Sequence, residues 1–270
     1  MKRKLALVAC AAITVGAAQA ANWSDTYLGY RYAPNMSEPG VTDKVAKNIF
    51  SMTHVSGDRL GMNLFTIDLL KSGTEDPSNN GTVGAQEWYG FYKRSFSLNA
   101  LMDKKDFGTV KDINLTLRFD AGSKNTTFAP APFKLRPGVS FAMPVSAGFW
   151  DIGADLYKEW NYNGIVGTNV AFKTAIALSS AWAVPAGPGT FGGFLDIVGP
   201  KGKDGFNDDT KTEVLLRGTY MVDVGGPKSG LKAGVGAEFW SNKFGCNNGG
   251  SLVKNSCRAV TPLLLVEYHM

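Results

Sequence analysis

The stretch VKDINLTLRFDA, residues 110–121, alternates polar and apolar side chains without a break. Asp112, Asn114, Thr116, Arg118 and Asp120 fall on one side of an extended chain, and Ile113, Leu115, Leu117 and Phe119 on the other. Successive strand side chains point to opposite faces, whereas a helix with its period of about 3.6 would scatter this pattern around its circumference. FKLRPGVSFAM repeats the alternation, with Lys134, Arg136, Gly138 and Ser140 opposite Leu135, Pro137, Val139 and Phe141. TEVLLRGTYMVDV sets Glu213, Arg217, Thr219 and Asp223 against Val214, Leu216, Tyr220 and Val222. LKAGVGAEFWSN sets Lys232, Gly234, Gly236 and Glu238 against Ala233, Val235, Ala237 and Phe239. The chain is therefore expected to be all-β.

About twelve such segments can be counted, an even number. They start near Asp25, Lys47, Arg59, Ala85, Val110, Phe133, Phe149, Ala171, Thr190, Thr212, Leu231 and Arg258. Their connections alternate between short ones, such as Ser56-Gly57-Asp58, and longer ones, such as residues 35–46 and 243–257. The stretch LMDKKDFG is an exception, too long for a tight turn. After the first twenty residues no run reaches eighteen apolar positions, so no spanning helix is expected. A soluble sandwich would alternate in the same way, with its apolar face toward a core. Short and long connections in alternation favour instead a transmembrane antiparallel barrel with its polar face inward. So do aromatics near segment ends: Trp23, Tyr27, Trp150, Trp160, Trp182, Trp240 and Tyr268. Pro137 and Pro262 fall inside segments and are expected at bulges or strand ends.

The beginning of the chain supports export. Lys2, Arg3 and Lys4 precede an apolar run from Leu5 to about Ala18 and an A-x-A pattern, Ala18-Gln19-Ala20. Residues 1–20 are read as a cleaved signal peptide and 21–270 as one barrel domain. Leu7-Val8-Ala9-Cys10 has the form of a lipoprotein cleavage box, but the apolar run before Cys10 is too short for a signal core. The formal net charge is +5, and loss of the three leading cations leaves about +2. That is weak evidence for a nucleic acid partner, and none is expected. Cys246 and Cys257 flank a Gly/Asn-rich stretch and are expected to form a disulfide in an oxidising compartment. With His54 and His269 the only histidines, no metal site is expected, and no cofactor either.

His54 and Ser56 are two residues apart, so they share a strand face and have the types of a base and a nucleophile. No acid or amide is placed by spacing to orient the histidine. The expected reading is a strand end beside a turn, with no catalytic residue in the chain.

The stretches SDTYLGYRYAPNMSEPG, THVSGDRLGMNLFTIDLLKS and EWYGFYKRSFSL in the first half, then FGTVKDINLTLRFDAGSKNTTFAPA, YKEWNYNGIVG, GPKGKDG and EFWSNKFG, stand in this order. Together they resemble one family, the Tsx-like nucleoside-specific channel-forming outer-membrane proteins. The resemblance spans residues 21–270. It implies a twelve-stranded barrel in the outer membrane of a Gram-negative bacterium, surrounded by lipid and seated by the barrel-insertion machinery. It also implies passive passage of nucleosides or similar small solutes. Such barrels commonly end in an aromatic residue, whereas this chain ends Glu267-Tyr268-His269-Met270.

A nucleoside pore needs aromatic faces for the base and polar groups for the sugar. The inferred lumen face supplies both, and the candidates for solute contact are Tyr27, Arg31, Glu87, Tyr89, Phe91, Lys93, Asp155, Tyr157, Asp196, Glu238 and Trp240. Asp25, Asp151, Glu159 and Phe194 share those faces. The second and third segments are unassigned, because Asn63 and Asp68 have opposite parity. GPKGKDG lacks the spacing of a phosphate-binding loop and is expected to be a solvated external loop. Two other functions fit the same pattern: a structural or adhesive envelope barrel with a plugged lumen, and a lipid hydrolase using Ser56 and His54.

Overall fold

A computed structural model describes residues 21–79, 81–104, 107–226, 229–247, 253 and 255–270. The expected signal peptide lies outside the described residues. The strands are β1 (Trp23–Met36), β2 (Val45–Asp58), β3 (Gly61–Ser72), β4 (Gln86–Ser97), β5 (Asp112–Lys124), β6 (Phe133–Ala142) and β7 (Phe149–Asn163). They continue as β8 (Thr168–Ala171), β9 (Ala175–Ala186), β10 (Gly189–Val198), β11 (Glu213–Asp223), β12 (Leu231–Ser241) and β13 (Ala259–His269). Every pairing is antiparallel, and β1 pairs with both β2 and β13, so the sheet closes on itself. Twelve strands form the ring; β8 pairs with the end of β7 alone and extends that hairpin beyond the wall. The expected start at Ala171 therefore falls at the end of β8. Its continuation β9 begins at Ala175, after a break in which Lys173 N–H donates to the Lys201 carbonyl at 2.9 Å.

Closure sorts the connections into two ends. The start of β1 and the end of β13 lie with the short links, residues 59–60, 98–111, 143–148, 187–188 and 224–230. The opposite, long-loop end carries residues 37–44, 73–85, 125–132, 164–174, 199–212 and 242–258. The first turn lies two residues beyond its expected place: Ser56, Gly57 and Asp58 are still strand, paired with Asn63, Met62 and Gly61. There Gly61, at φ 144°, approaches the Ser95 carbonyl so closely that a Cβ would sit 2.0 Å from it. The long link after β4 holds a single helical turn, α1 (Leu98–Met102), begun by Ser97, whose Oγ accepts from the Ala100 N–H at 3.0 Å.

Both prolines are interior to their strands, at neither a bulge nor a strand end. The β6–β7 register keeps its offset on either side of Pro137 but lacks the pairs at Arg136 and Pro137, since proline has no N–H to give the ladder. An apolar notch of about 360 Å³ marks that gap on the outer wall, lined by Pro137, Val139, Ala154, Leu156 and Ile176. Pro262 remains opposite Ala237, and the ladder to β1 ends nearby at Tyr32 opposite Leu264. Beyond that point the Asn35 N–H donates to Thr261 Oγ1 at 3.1 Å.

The two faces of the wall differ sharply. Outside runs a belt of exposed apolar side chains that includes Leu28, Phe50, Leu69, Leu115, Leu156, Ile176, Phe191, Val235 and Leu264. Trp88, Trp150, Trp160 and Tyr268 are exposed on it. Trp23, Tyr27 and Trp240, expected among these aromatics, instead fall on the inner face: Trp23 lies opposite Gly57 at the short-link rim, Tyr27 opposite Thr53, and Trp240 opposite Leu215 and Ala259. The lumen holds an apolar cluster of Ala33, Met36, Val45, Ile49, Met221, Leu263 and Leu265, with Val41, Leu70 and Trp240 against it. Most of the remaining lumen face is charged. Cys246 and Cys257 are disulfide-bonded, Cα atoms 5.8 Å apart, and tie the loop between β12 and β13. Closing a loop of that length is worth about 3 kcal/mol.

The seam between β1 and β13 makes closure testable. Tyr30 stands opposite Val266, whereas Leu265 points to the other face. A chain carrying Tyr30→Cys and Val266→Cys is expected to cross-link with a short bis-maleimide, and one carrying Tyr30→Cys and Leu265→Cys to remain open. Equal cross-linking of both would contradict this register.

Candidate functional site

The lumen is built by parity. Moving around the ring from Arg31, the directly opposed residues are Ile49, Leu70, Glu87 and Lys124, all on the inner face. From Phe91 they are Asp120, Lys134 and Glu159. The structure places all eleven expected candidates on this face. The register also settles β3: Asp68, between Ser51 and Tyr89, faces inward. Asn63 lies on the outer rim, where its Oδ1 accepts from the Tyr92 hydroxyl at 2.6 Å.

Ion pairs join strands across the interior. Arg31 binds Asp68 at 2.6 Å, Lys47 binds Glu87 at 3.0 Å, and Arg217 binds Glu238 at 2.6 Å. Arg136 is almost fully enclosed and reaches Asp155 on β7 at 2.9 Å and Asp196 on β10 at 2.7 Å. Opposite Asp155 is Gly138, where an added Cβ would come within 2.2 Å of the Asp155 carboxylate. Asp120 accepts from Arg118 at 2.7 Å and from the Tyr89 hydroxyl, and Lys134 donates to that same hydroxyl at 3.2 Å. Glu159 accepts from Tyr157 at 2.7 Å and from Lys201. Trp240 donates its indole N–H to Glu213 at 2.8 Å. Almost every inward charge thus has a partner of opposite sign, as a low-dielectric surround requires.

Solvent reaches these groups unequally. Asp68, Asp196, Arg118, Arg217, Asp151 and Lys93 retain 21–25% of their side-chain surface. Two phenylalanines border this wetter part. The Arg118 guanidinium lies 3.9 Å from the centroid of Phe91, and that of Arg217 lies 5.0 Å from the centroid of Phe194. The two arrangements sit on β4–β5 and β10–β11, nearly opposite in the ring. Tyr27 stacks on His269 at 4.7 Å, and His269 Nδ1 lies 2.9 Å from Asp25.

At the long-loop end several charges are buried. Lys47, Lys201 and Lys243 retain only 2% of their side-chain surface. Residues 37–44 fold inward and carry Glu38 into the midst of three ammonium groups. Glu38 Oε1 lies 2.7 Å from Lys47 and 2.8 Å from Lys243, and Oε2 lies 3.0 Å from Lys124. Lys124 ends β5 and Lys243 follows β12, six strands apart in a ring of twelve, so one carboxylate ties opposite walls. Burial by itself would raise the Glu38 carboxyl, but Lys243, Lys47 and Lys124 outweigh it and hold it well below the usual carboxylate range.

Neither Glu38 nor Lys243 carried a signal in the alternation, since both lie in connections. Lys201 corrects the expectation for GPKGKDG: it is buried because it neutralises Glu159 on the lumen face, while Lys203 pairs with Asp209 in solvent. His54 and Ser56 lie on the outer wall, and His54 Nδ1 is paired with Thr26 Oγ1 at 2.8 Å.

No family model matches the chain, and no curated protein matches it. Among solved structures, it is similar to the translocator domain of the autotransporter NalP from Neisseria meningitidis, at 10% identity and a TM-score of 0.47, covering 97% of this chain and 94% of that one. It is also similar to Pseudomonas putida OprB, at 8% identity and a TM-score of 0.32, covering 92% and 94%. A third is Pseudomonas aeruginosa OccK11 (OpdR), at 11% identity and a TM-score of 0.29, covering 92% and 96%. With these scores below 0.5, the closed barrel rests on the chain's own strand register.

Asp196→Ala would leave Arg136 with Asp155 alone. The expected loss is on the order of 2 kcal/mol, less than for a fully enclosed pair because Asp196 is partly wet, read from equilibrium unfolding in urea. An unchanged midpoint would mean that the pair contributes nothing. The depressed Glu38 carboxyl gives a signed pH dependence. Its contribution is complete above the ordinary carboxylate range and is lost as pH falls through the lower folded value. The protection of amides in residues 37–44, taken relative to the intrinsic exchange rate at each pH, is expected to hold steady from about pH 8 to about pH 5 and to fall only well below that; a loss of protection near neutrality would refute the assignment.

Proposed function

We propose that this barrel lies in an outer membrane and passes small solutes by diffusion, with nucleosides the favoured class. The observation that carries the reading is the wetter part of the lumen, where Phe91 with Arg118 and Phe194 with Arg217 place aromatic rings beside guanidinium donors. A flat base stacks on such rings, and ribose hydroxyls bond to the neighbouring Asp, Lys and Arg groups. The binding is weak and repeated along the wall, as release from a pore requires. The outer apolar belt is far larger than a soluble monomer leaves in water, and hydrocarbon covers it. The long loops then face outside and the short links the periplasm, the usual arrangement for such barrels. The resemblance of the sequence to the Tsx-like channels supports the same solute class.

A second reading, a closed envelope barrel, is favoured by the buried cluster around Glu38 at the long-loop end. Single-channel recording in a planar bilayer separates the two. A channel is expected to conduct and to be blocked by added nucleosides, less so by sugars or amino acids; a well-folded barrel that never conducts would favour the closed reading. Phe91→Ala and Phe194→Ala are each expected to weaken nucleoside block by about 1–3 kcal/mol, the usual loss on removing one stacking ring. The membrane position has its own test. Leu264, exposed in the middle of β13, is expected to cost about 2–4 kcal/mol when changed to Arg, measured by folding into lipid vesicles.

A further inference from the structure

The Glu38 cluster has the composition of an occupied anion site. Three lysines from different parts of the wall converge on one carboxylate, two on Oε1 and one on Oε2, all within 3.0 Å. Lys47 has a second acid partner in Glu87, and Lys124 has one in Asp76 at 2.7 Å. Among the described residues Lys243 has no second acid partner. The other oxygen contact of its ammonium there is the Ser37 carbonyl at 3.0 Å, on the same loop as Glu38, and the rings of Trp240 and Phe244 lie beside it at 4.6 Å and 5.1 Å. With the loop in place, Lys47, Lys124 and Lys243 are balanced by Glu38, Glu87 and Asp76. When residues 37–44 lift, Lys243 loses both oxygen partners together and the cradle carries one surplus positive charge inside a buried, π-lined recess. Such a recess favours an oxyanion strongly.

We propose that Glu38 is an internal stand-in for a solute's oxyanion, and that Lys47, Lys124 and Lys243 form an anion-binding site at the external mouth. A carboxylate or a phosphate group takes the cradle by displacing the loop, its two oxygens replacing Oε1 and Oε2. The site goes beyond passage of neutral nucleosides: it is where a solute bearing an oxyanion is recognised before the lumen. In the channel reading that displacement also opens the pore, a consequence that rests on that reading; the site itself rests on the three lysines.

The test uses the refolded full barrel in detergent, titrated calorimetrically with inorganic phosphate and, separately, with acetate, and the same barrel in planar bilayers. In the wild type Glu38 competes, so both anions are expected to bind weakly. Glu38→Ala is expected to bind at least one of them ten-fold or more tightly, and adding Lys243→Met is expected to remove that gain. Phosphate alone gaining would assign the site to phosphate-bearing solutes; acetate alone, to carboxylates. Glu38→Gln keeps the size of the side chain and repeats the comparison if the alanine variant does not fold. Folded variants that titrate like the wild type would overturn the site. A variant that conducts more but binds neither anion would retain the channel and remove the site. Tighter anion binding by a barrel that never conducts would retain the site and remove the channel.

Discussion

Closure of the backbone ladder is the constraint on which everything else here depends. β1 bonds to β2 on one side and to β13 on the other, so none of the twelve strands of the ring presents an open edge; only β8, beyond the wall, has one. A sheet whose outer face meets hydrocarbon has no water to satisfy an edge, and only a closed ring removes the problem. The few places where the ladder fails are handled locally. Thr261 Oγ1 accepts an N–H beyond the end of the β1–β13 ladder. At Pro137 the donor is absent from the start, so no N–H is orphaned, although the carbonyl facing it loses that partner.

Once the ring is closed, the inward face becomes an enclosed space crowded with charge, and the ion pairs follow from it. A lone buried ion would cost several kcal/mol, so Arg136, Lys47, Arg217 and Glu159 each find a partner across or along the wall. The pairing is uneven along the axis. Toward the long loops the interior is dry, capped by Glu38 and packed on one side by Ala33, Met36, Val45 and Leu263. Nearer the short links the pairs stay partly wet and lie beside Phe91 and Phe194. A single chain thus combines a packed core with a polar recess, and the boundary between them is where solute recognition is proposed.

Much of this was legible in the residues. Alternation in residues 110–121 assigns the inner face of β5 correctly, because one register holds along the whole strand. It does so for β4, β7, β10 and β12 as well. Alternation leaves β3 undecided because Asn63 and Asp68 are both polar and of opposite parity: Asn63 is at the rim, where the outer face is no longer apolar, so polarity there says nothing about facing. Tyr27 and Trp240 fit both the outer girdle and the lumen face by sequence, because an aromatic suits either a lipid interface or a lumen. β13 is apolar on both faces, with Leu263 and Leu265 inside and Leu264 and Val266 outside.

The sequence by itself determined the strands, their number in the ring and the face most of them turn inward, because strand period and hydrophobic partition are local properties read two residues at a time. Only the tertiary structure decided which charges meet. Glu38, Lys124 and Lys243 are separated by 86 to 205 residues and come from two loops and a strand end. Nothing in their local patterns marks them as partners. Ring closure brings opposite walls together, and a buried carboxylate then takes whichever cations that geometry puts within reach.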